Sequence, residues 1–160
     1  MKRIYFAGKI EGLTWNNWMD NYELPLRKAL SEIDNGERIQ VLSPMRGKEL
    51  LKDRGIITGS LVNDIPMCEA TRVVNRDTND VANCDILIVN LALRSSPTSP
   101  YPSPVGTFLE IGFAKGRGKF ILGIVPEDHP FRKHYFYSWL DMVFVSVSDL
   151  CDNLPDILPR

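Results

Sequence analysis

The sequence predicts a single α/β domain over residues 1–160, built as a doubly wound, Rossmann- or flavodoxin-like sheet of five parallel strands. Three observations carry this prediction. Short runs rich in β-branched and aromatic residues recur along the chain. Several of them are continuously apolar, Ile86, Leu87, Ile88 and Val89 being the clearest, as suits parallel strands covered on both faces. Stretches with helical spacing lie between the runs, which implies right-handed crossovers.

Taken in order, the strands are expected at 3–7, 38–42, 85–91, 120–125 and 142–147. The first helix is expected over 15–33, where Trp15, Trp18, Met19, Tyr22, Leu26, Ala29, Leu30 and Ile33 form an apolar stripe that Asn35 and Gly36 close. A second, shorter helix is expected over 70–83, irregular around 75–77. A third covers 107–115, closed by Gly116 and Gly118, and a fourth 129–140. Two segments interrupt the rhythm. Residues 47–69 follow the second strand and contain Gly55, Gly59 and Pro66. Residues 94–104 follow the third strand and hold four prolines and four serines. Both begin at carboxyl ends of strands, where open α/β sheets bind ligands, so they read as walls or lids of a site. The last thirty-five residues carry no motif.

Bulk properties narrow the function classes. A chain of 160 residues buries roughly 70% of its unfolded surface and needs no metal or disulfide to fold. Lys and Arg number 19 against 20 acidic residues. That balance offers no broad basic footprint for a nucleic acid. Cys68, Cys84 and Cys151 form no CxxC pair, and with only His129 and His134 beside them no zinc set is expected. The amino-terminal apolar run is too short for a signal peptide, and no stretch approaches the ~20 apolar residues of a membrane span. The expectation is a cytoplasmic protein without a membrane partner.

The residues that could carry chemistry lie at strand ends. Gly106 permits a turn, and Thr107 stands three residues before Glu110. Thr-x-x-Glu can be a capping box, in which Glu110 bonds back to a backbone N–H. It can equally set a carboxylate at a helix amino terminus, kept ionised for attack on a glycosidic carbon. Asp77, within Arg76, Asp77, Thr78, Asn79 and Asp80, is either a helix cap or the second carboxylate of such a site. Gly8 and Gly12 let the chain turn closely past a ligand after the first strand. Arg46 and Lys48 follow the second strand as phosphate-binding or solvated cations.

In combination these pieces resemble the nucleoside 2-deoxyribosyltransferase superfamily, which includes the deoxynucleoside 5′-monophosphate N-glycosidases. The resemblance rests on Ile4, Tyr5, Phe6, Ala7 and Gly8; on Arg76 and Asp77; on the run from Asn83 to Ile88; and on the run from Gly106 to Ala114, followed by Gly118 and Lys119. It covers about three quarters of the chain. It implies that Glu110 is the nucleophile attacking the anomeric carbon, that Asp77 assists protonation or placement of the base, and that Tyr5 orients the nucleophile. Gly8, Lys9, Arg46, Lys48, Ser103, Gly106 and Thr107 are then the substrate-binding candidates. It further implies a small-molecule nucleoside or nucleotide as substrate, no cofactor or metal, and a homo-oligomer, dimer or larger, whose neighbours complete the sites. One departure matters. Deoxyribosyltransferases have an aspartate six residues before the nucleophile, where this chain has Pro104 beside Ser103. Loss of that acid, with Lys9, Arg46 and Lys48 available as cations, favours tolerance of a 5′-phosphate. The competing readings are a non-catalytic nucleotide-binding sensor module, with Glu110 only capping its helix, and an interaction protein presenting the aromatic segment 134–139.

Overall fold

A computed structural model describes residues 1–34, 38–59 and 69–158. Its sheet has five strands: β1 (Lys2–Gly8), β2 (Ile39–Leu42), β3 (Ile86–Asn90), β4 (Phe120–Ile124) and β5 (Met142–Phe144). All are parallel, in the order β2-β1-β3-β4-β5. This is a flavodoxin-like winding. The chain reverses direction between β1 and β3, which opens a crevice beyond their carboxyl ends, where Gly8 lies beside Asn90.

Strand alternation divides the core in two. Ile4, Phe6, Ile86, Ile88, Leu122 and Ile124 pack on one face beneath α2 (Leu24–Ile33) and α5 (Val147–Ile157). Tyr5, Ala7, Leu87, Val89 and Ile121 pack on the other beneath α3 (Ala70–Asn83) and α4 (Val105–Gly116). Tyr5, Asp77 and Glu110 belong to this second layer.

The helices differ from the sequence expectation where side chains compete with the backbone. The stretch expected as one helix over 15–33 comprises α1 (Trp15–Trp18), a π-helical turn (Met19–Glu23) and α2. Thr14 and Asn17 close a capping box at its start. The wider turn carries Tyr22 and Glu23 inward, where both are buried; such turns often mark functional regions. Asn35 and Gly36 lie outside the described residues. Ahead of them, the Asp34 carboxylate accepts from the amides of Arg38 and Ile39 at 2.8 and 3.1 Å, joining the helix end to β2.

Helix α3 runs unbroken through 75–77, so the expected irregularity is absent and Asp77 is an interior helical residue, not a cap. Helix α4 begins two residues earlier than expected, with Pro104 at its N-cap and no side-chain cap. The expected helix over 129–140 is two short 3₁₀ turns, Pro130–Lys133 and Tyr135–Trp139, each capped by the histidine before it. The last strand stops at Phe144 because Ser146 accepts from the amide of Asp149 while Asp149 accepts from that of Val145. This reciprocal cap starts α5, an element the sequence reading left without a motif.

The two irregular segments are each fastened to a neighbouring turn by hydrogen bonds. In the first, Ile57 accepts from the Gly12 N–H and donates to the Leu13 carbonyl, both at 2.8 Å, which ties the segment to the turn after β1. Residues 60–68, including Pro66, lie outside the described residues. In the second, Tyr101 donates to Asp128 at 2.6 Å and lies under the Arg94 guanidinium, fastening the proline-rich loop to the turn after β4.

Gly8 is required by close approach. A Cβ there would stand 3.1 Å from the Asn90 carbonyl oxygen, 3.1 Å from the Trp18 ring and 3.2 Å from Leu93 Cδ1. Two of these neighbours are rigidly held, so Gly8→Ala is expected to destabilise the fold by about 1–3 kcal/mol, measurable by denaturant titration.

Candidate active site

Three elements bring the site together. Tyr5, in the middle of β1, projects toward α4, where Glu110 is the sixth helical residue. The tyrosine hydroxyl donates to Glu110 Oε1 at 2.8 Å. Glu110 and Asp77 line one cavity of about 870 Å³ between α3, α4 and the 3₁₀ turns. Its remaining walls are mainly apolar, with Val81, Phe108, Ile111, Phe131 and Trp139 among them. The capping box that the spacing of Thr107 and Glu110 allows is not formed. Thr107 is buried, and the Glu110 carboxylate points to Tyr5.

The expectation that a helix terminus keeps Glu110 ionised is corrected by its surroundings. The dipole effect fades beyond the first turn, and Glu110 lies in the second. Burial pushes its carboxyl up to about 8; the Tyr5 hydrogen bond and Lys48 oppose this, and Asp77 adds to it. Burial likewise raises Asp77, against the Arg76 guanidinium and Lys48. Tyr5 is held well above the ordinary tyrosine range by burial and by Glu110, so its hydroxyl stays a donor. Both carboxyls are thus raised chiefly by burial, the Glu110 carboxyl further by the charge of Asp77.

The cations separate. Lys48 is buried and acts electrostatically on both carboxyls. Arg46 is half-exposed and pairs with Asp80 at 3.0 Å. Lys9 is half-buried beyond β1, and Ser103 is exposed before α4. Gly106 lines the cavity, while Thr107 does not.

Sequence reasoning missed the polar network beneath the β1 turn. The Tyr22 hydroxyl lies 3.1 Å from the Ala7 carbonyl oxygen and 2.7 Å from that of Ile88, bridging β1 and β3 at the crevice. Buried Glu23 accepts from Trp18 Nε1 at 2.8 Å and Ser43 Oγ at 2.7 Å, and pairs with Arg27. The available signal was an acidic residue adjoining an apolar helical stripe. It also missed the cavity walls Val73, Val74, Phe131 and Phe136, which no motif marked.

The family model for nucleoside 2-deoxyribosyltransferase matches residues 4–154. The chain belongs to that family. The match takes in Tyr5, Asp77 and Glu110 and most of the final segment that carried no motif. None of the curated protein sequences compared matches the chain. Among solved structures, a conserved protein from Enterococcus faecalis V583 is similar in fold, with a TM-score of 0.63 and 18% identity over 99% of each chain. The CMP N-glycosidase BcmB of Clostridium botulinum gives a TM-score of 0.46 at 15% identity, covering 96% of this chain and 98% of that one. A 2-desoxiribosyltransferase from Leishmania mexicana gives 0.48 at 24% identity, covering 84% and 71% respectively. Among the described residues, no helix of this family member is long and apolar enough to cross a membrane.

Proposed function

We propose that the protein cleaves the N-glycosidic bond of deoxynucleosides or their 5′-monophosphates through a covalent glycosyl ester on Glu110. The hydrogen bond from Tyr5 to Glu110 Oε1, in a cavity shared with Asp77, is the observation that carries this reading. In the reactive form Glu110 is ionised and Asp77 carries a proton, and a carboxylate oxygen of Glu110 attacks the anomeric carbon as the carbon–nitrogen bond breaks. The bonding pair leaves with the base, which takes the proton from Asp77. In the second step a free base or water attacks the same carbon, Glu110 departs as carboxylate, and Asp77 recovers a proton. The Tyr5 donor holds the attacking group in one rotamer, and the apolar walls limit water at the reacting carbon.

Tolerance of a 5′-phosphate follows from the start of α4. Pro104 stands where an acid would repel the anion, and no side chain caps the helix, leaving its first amides for an anion. The reading includes self-assembly. Val74, Val105 and Leu109 border the cavity while 61%, 63% and 71% exposed, and a second copy would cover them and exclude water from the site.

The test is a panel of deoxynucleosides, ribonucleosides and their 5′-monophosphates, incubated with and without a second free base and followed by chromatography. The expected result is base release, with exchange products if a base is the acceptor. Nucleotides that raise the Tm without any release or exchange would overturn the reading in favour of a binding module.

A further inference from the structure

Arg76 is engaged at all three guanidinium nitrogens. Its Nε and Nη2 donate to the same oxygen, Asp77 Oδ1, at 3.0 and 2.9 Å. Nη2 also donates to the Pro44 carbonyl at 2.8 Å, and Nη1 to the Arg46 carbonyl at 2.9 Å. Consecutive helical residues do not face each other, so two side chains have turned toward one another to make this pair. They converge on the loop after β2, which delivers buried Lys48. Beneath this contact the Arg46 side chain returns to Asp80 on the same helix at 3.0 Å. Both members of the pair are largely buried, with side chains 20% and 15% exposed. Among the described residues Asp77 Oδ2 accepts no hydrogen bond, which leaves that oxygen for the substrate.

Resting on the proposed cleavage reaction, we infer that Arg76 is a positioning residue: it fixes the rotamer of Asp77 so that Oδ2 presents to the base, and locks the Lys48 loop to α3. A planar fork can hold one carboxylate oxygen and two carbonyls at once. An ammonium group, with its donors on a single atom, cannot span them. Arg76 contacts no reacting atom in this account and acts through Asp77.

The experiment is a double-mutant cycle of R76Q and D77N on base release, with R76K as the charge-retaining variant. For R76Q and R76K the expected loss is about 10- to 100-fold in kcat, with KM changed less than about threefold, the pattern of a misplaced catalytic group. In the D77N background the same substitutions should cost less than about twofold, because the group they position is already gone. A purely structural role would give equal losses in both backgrounds and would overturn the inference, as would wild-type kcat in R76K. If R76Q does not fold, R76K completes the cycle alone. Wild-type protein that releases no base from any substrate would instead overturn the cleavage reading on which the inference rests.

Discussion

Glu110→Gln should abolish base release, lowering kcat/KM by at least ~10³-fold, or ~4 kcal/mol of transition-state stabilisation. Glutamine keeps the shape of the side chain, and its amide oxygen can still accept from Tyr5. What it lacks is the electron pair that forms the glycosyl ester. Loss of this size in a folded protein therefore assigns covalent chemistry to Glu110. A helix cap would tolerate the change at a cost in stability of about 1 kcal/mol and none in turnover. Mass spectrometry of protein quenched during turnover adds a direct check, with a glycosyl adduct on the wild type and none on E110Q. Retention of more than a tenth of the activity would exclude Glu110 as the nucleophile.

The same substitution is expected to stabilise the protein, in a pH-dependent way. Burial raises the Glu110 carboxyl from 4.5 in the unfolded chain to about 8 in the folded one. Below about 4.5 the group is protonated in both states and costs nothing. Between about 4.5 and 8 the folded state retains a proton that the unfolded state has released, so stability falls as pH rises. Above about 8 both states are ionised and the loss is complete. Glutamine has no such transition. E110Q minus wild type should grow across that window to about 2–4 kcal/mol, which corresponds to roughly 5–10 °C in Tm for a chain of this size. Thermal unfolding of both proteins from pH 4 to 10 measures it. A difference that stays flat would mean that Glu110 is solvated and ionised at neutral pH. Combined with the first result, the expected curve describes a site that sacrifices stability to hold a reactive carboxyl in an apolar cavity.

Some of this was legible residue by residue. The runs at 86–89 and 120–124 are so continuously apolar that only a two-face-covered strand suits them, and the strands formed there. Tyr5 and Glu110 were marked by the family pattern, and the structure joins them by a hydrogen bond. Other local signals misled. Thr107 and Glu110 satisfy the spacing of a capping box, yet Pro104 begins the helix early and carries both past the cap positions. Asp77 reads as a helix start because aspartate prefers caps, but packing of α3 on the sheet through Val81 outweighs that preference by more than propensity can supply.

By itself the sequence determined the sheet, the winding of strands and helices, and which residue types stand at the strand ends, because these follow from hydrophobic period and turn chemistry close along the chain. Only the tertiary structure decided the environment of those residues. Burial among side chains from α3, α4 and the 3₁₀ turns pushes the Glu110 carboxyl up to about 8. Lys48, Arg76 and Asp77 lie together because a loop and a helix some thirty residues apart are joined by the hydrogen bond from Arg76 to the Arg46 carbonyl. Desolvation and long-range hydrogen bonding depend on what surrounds a group in space, and no local pattern of residues encodes that.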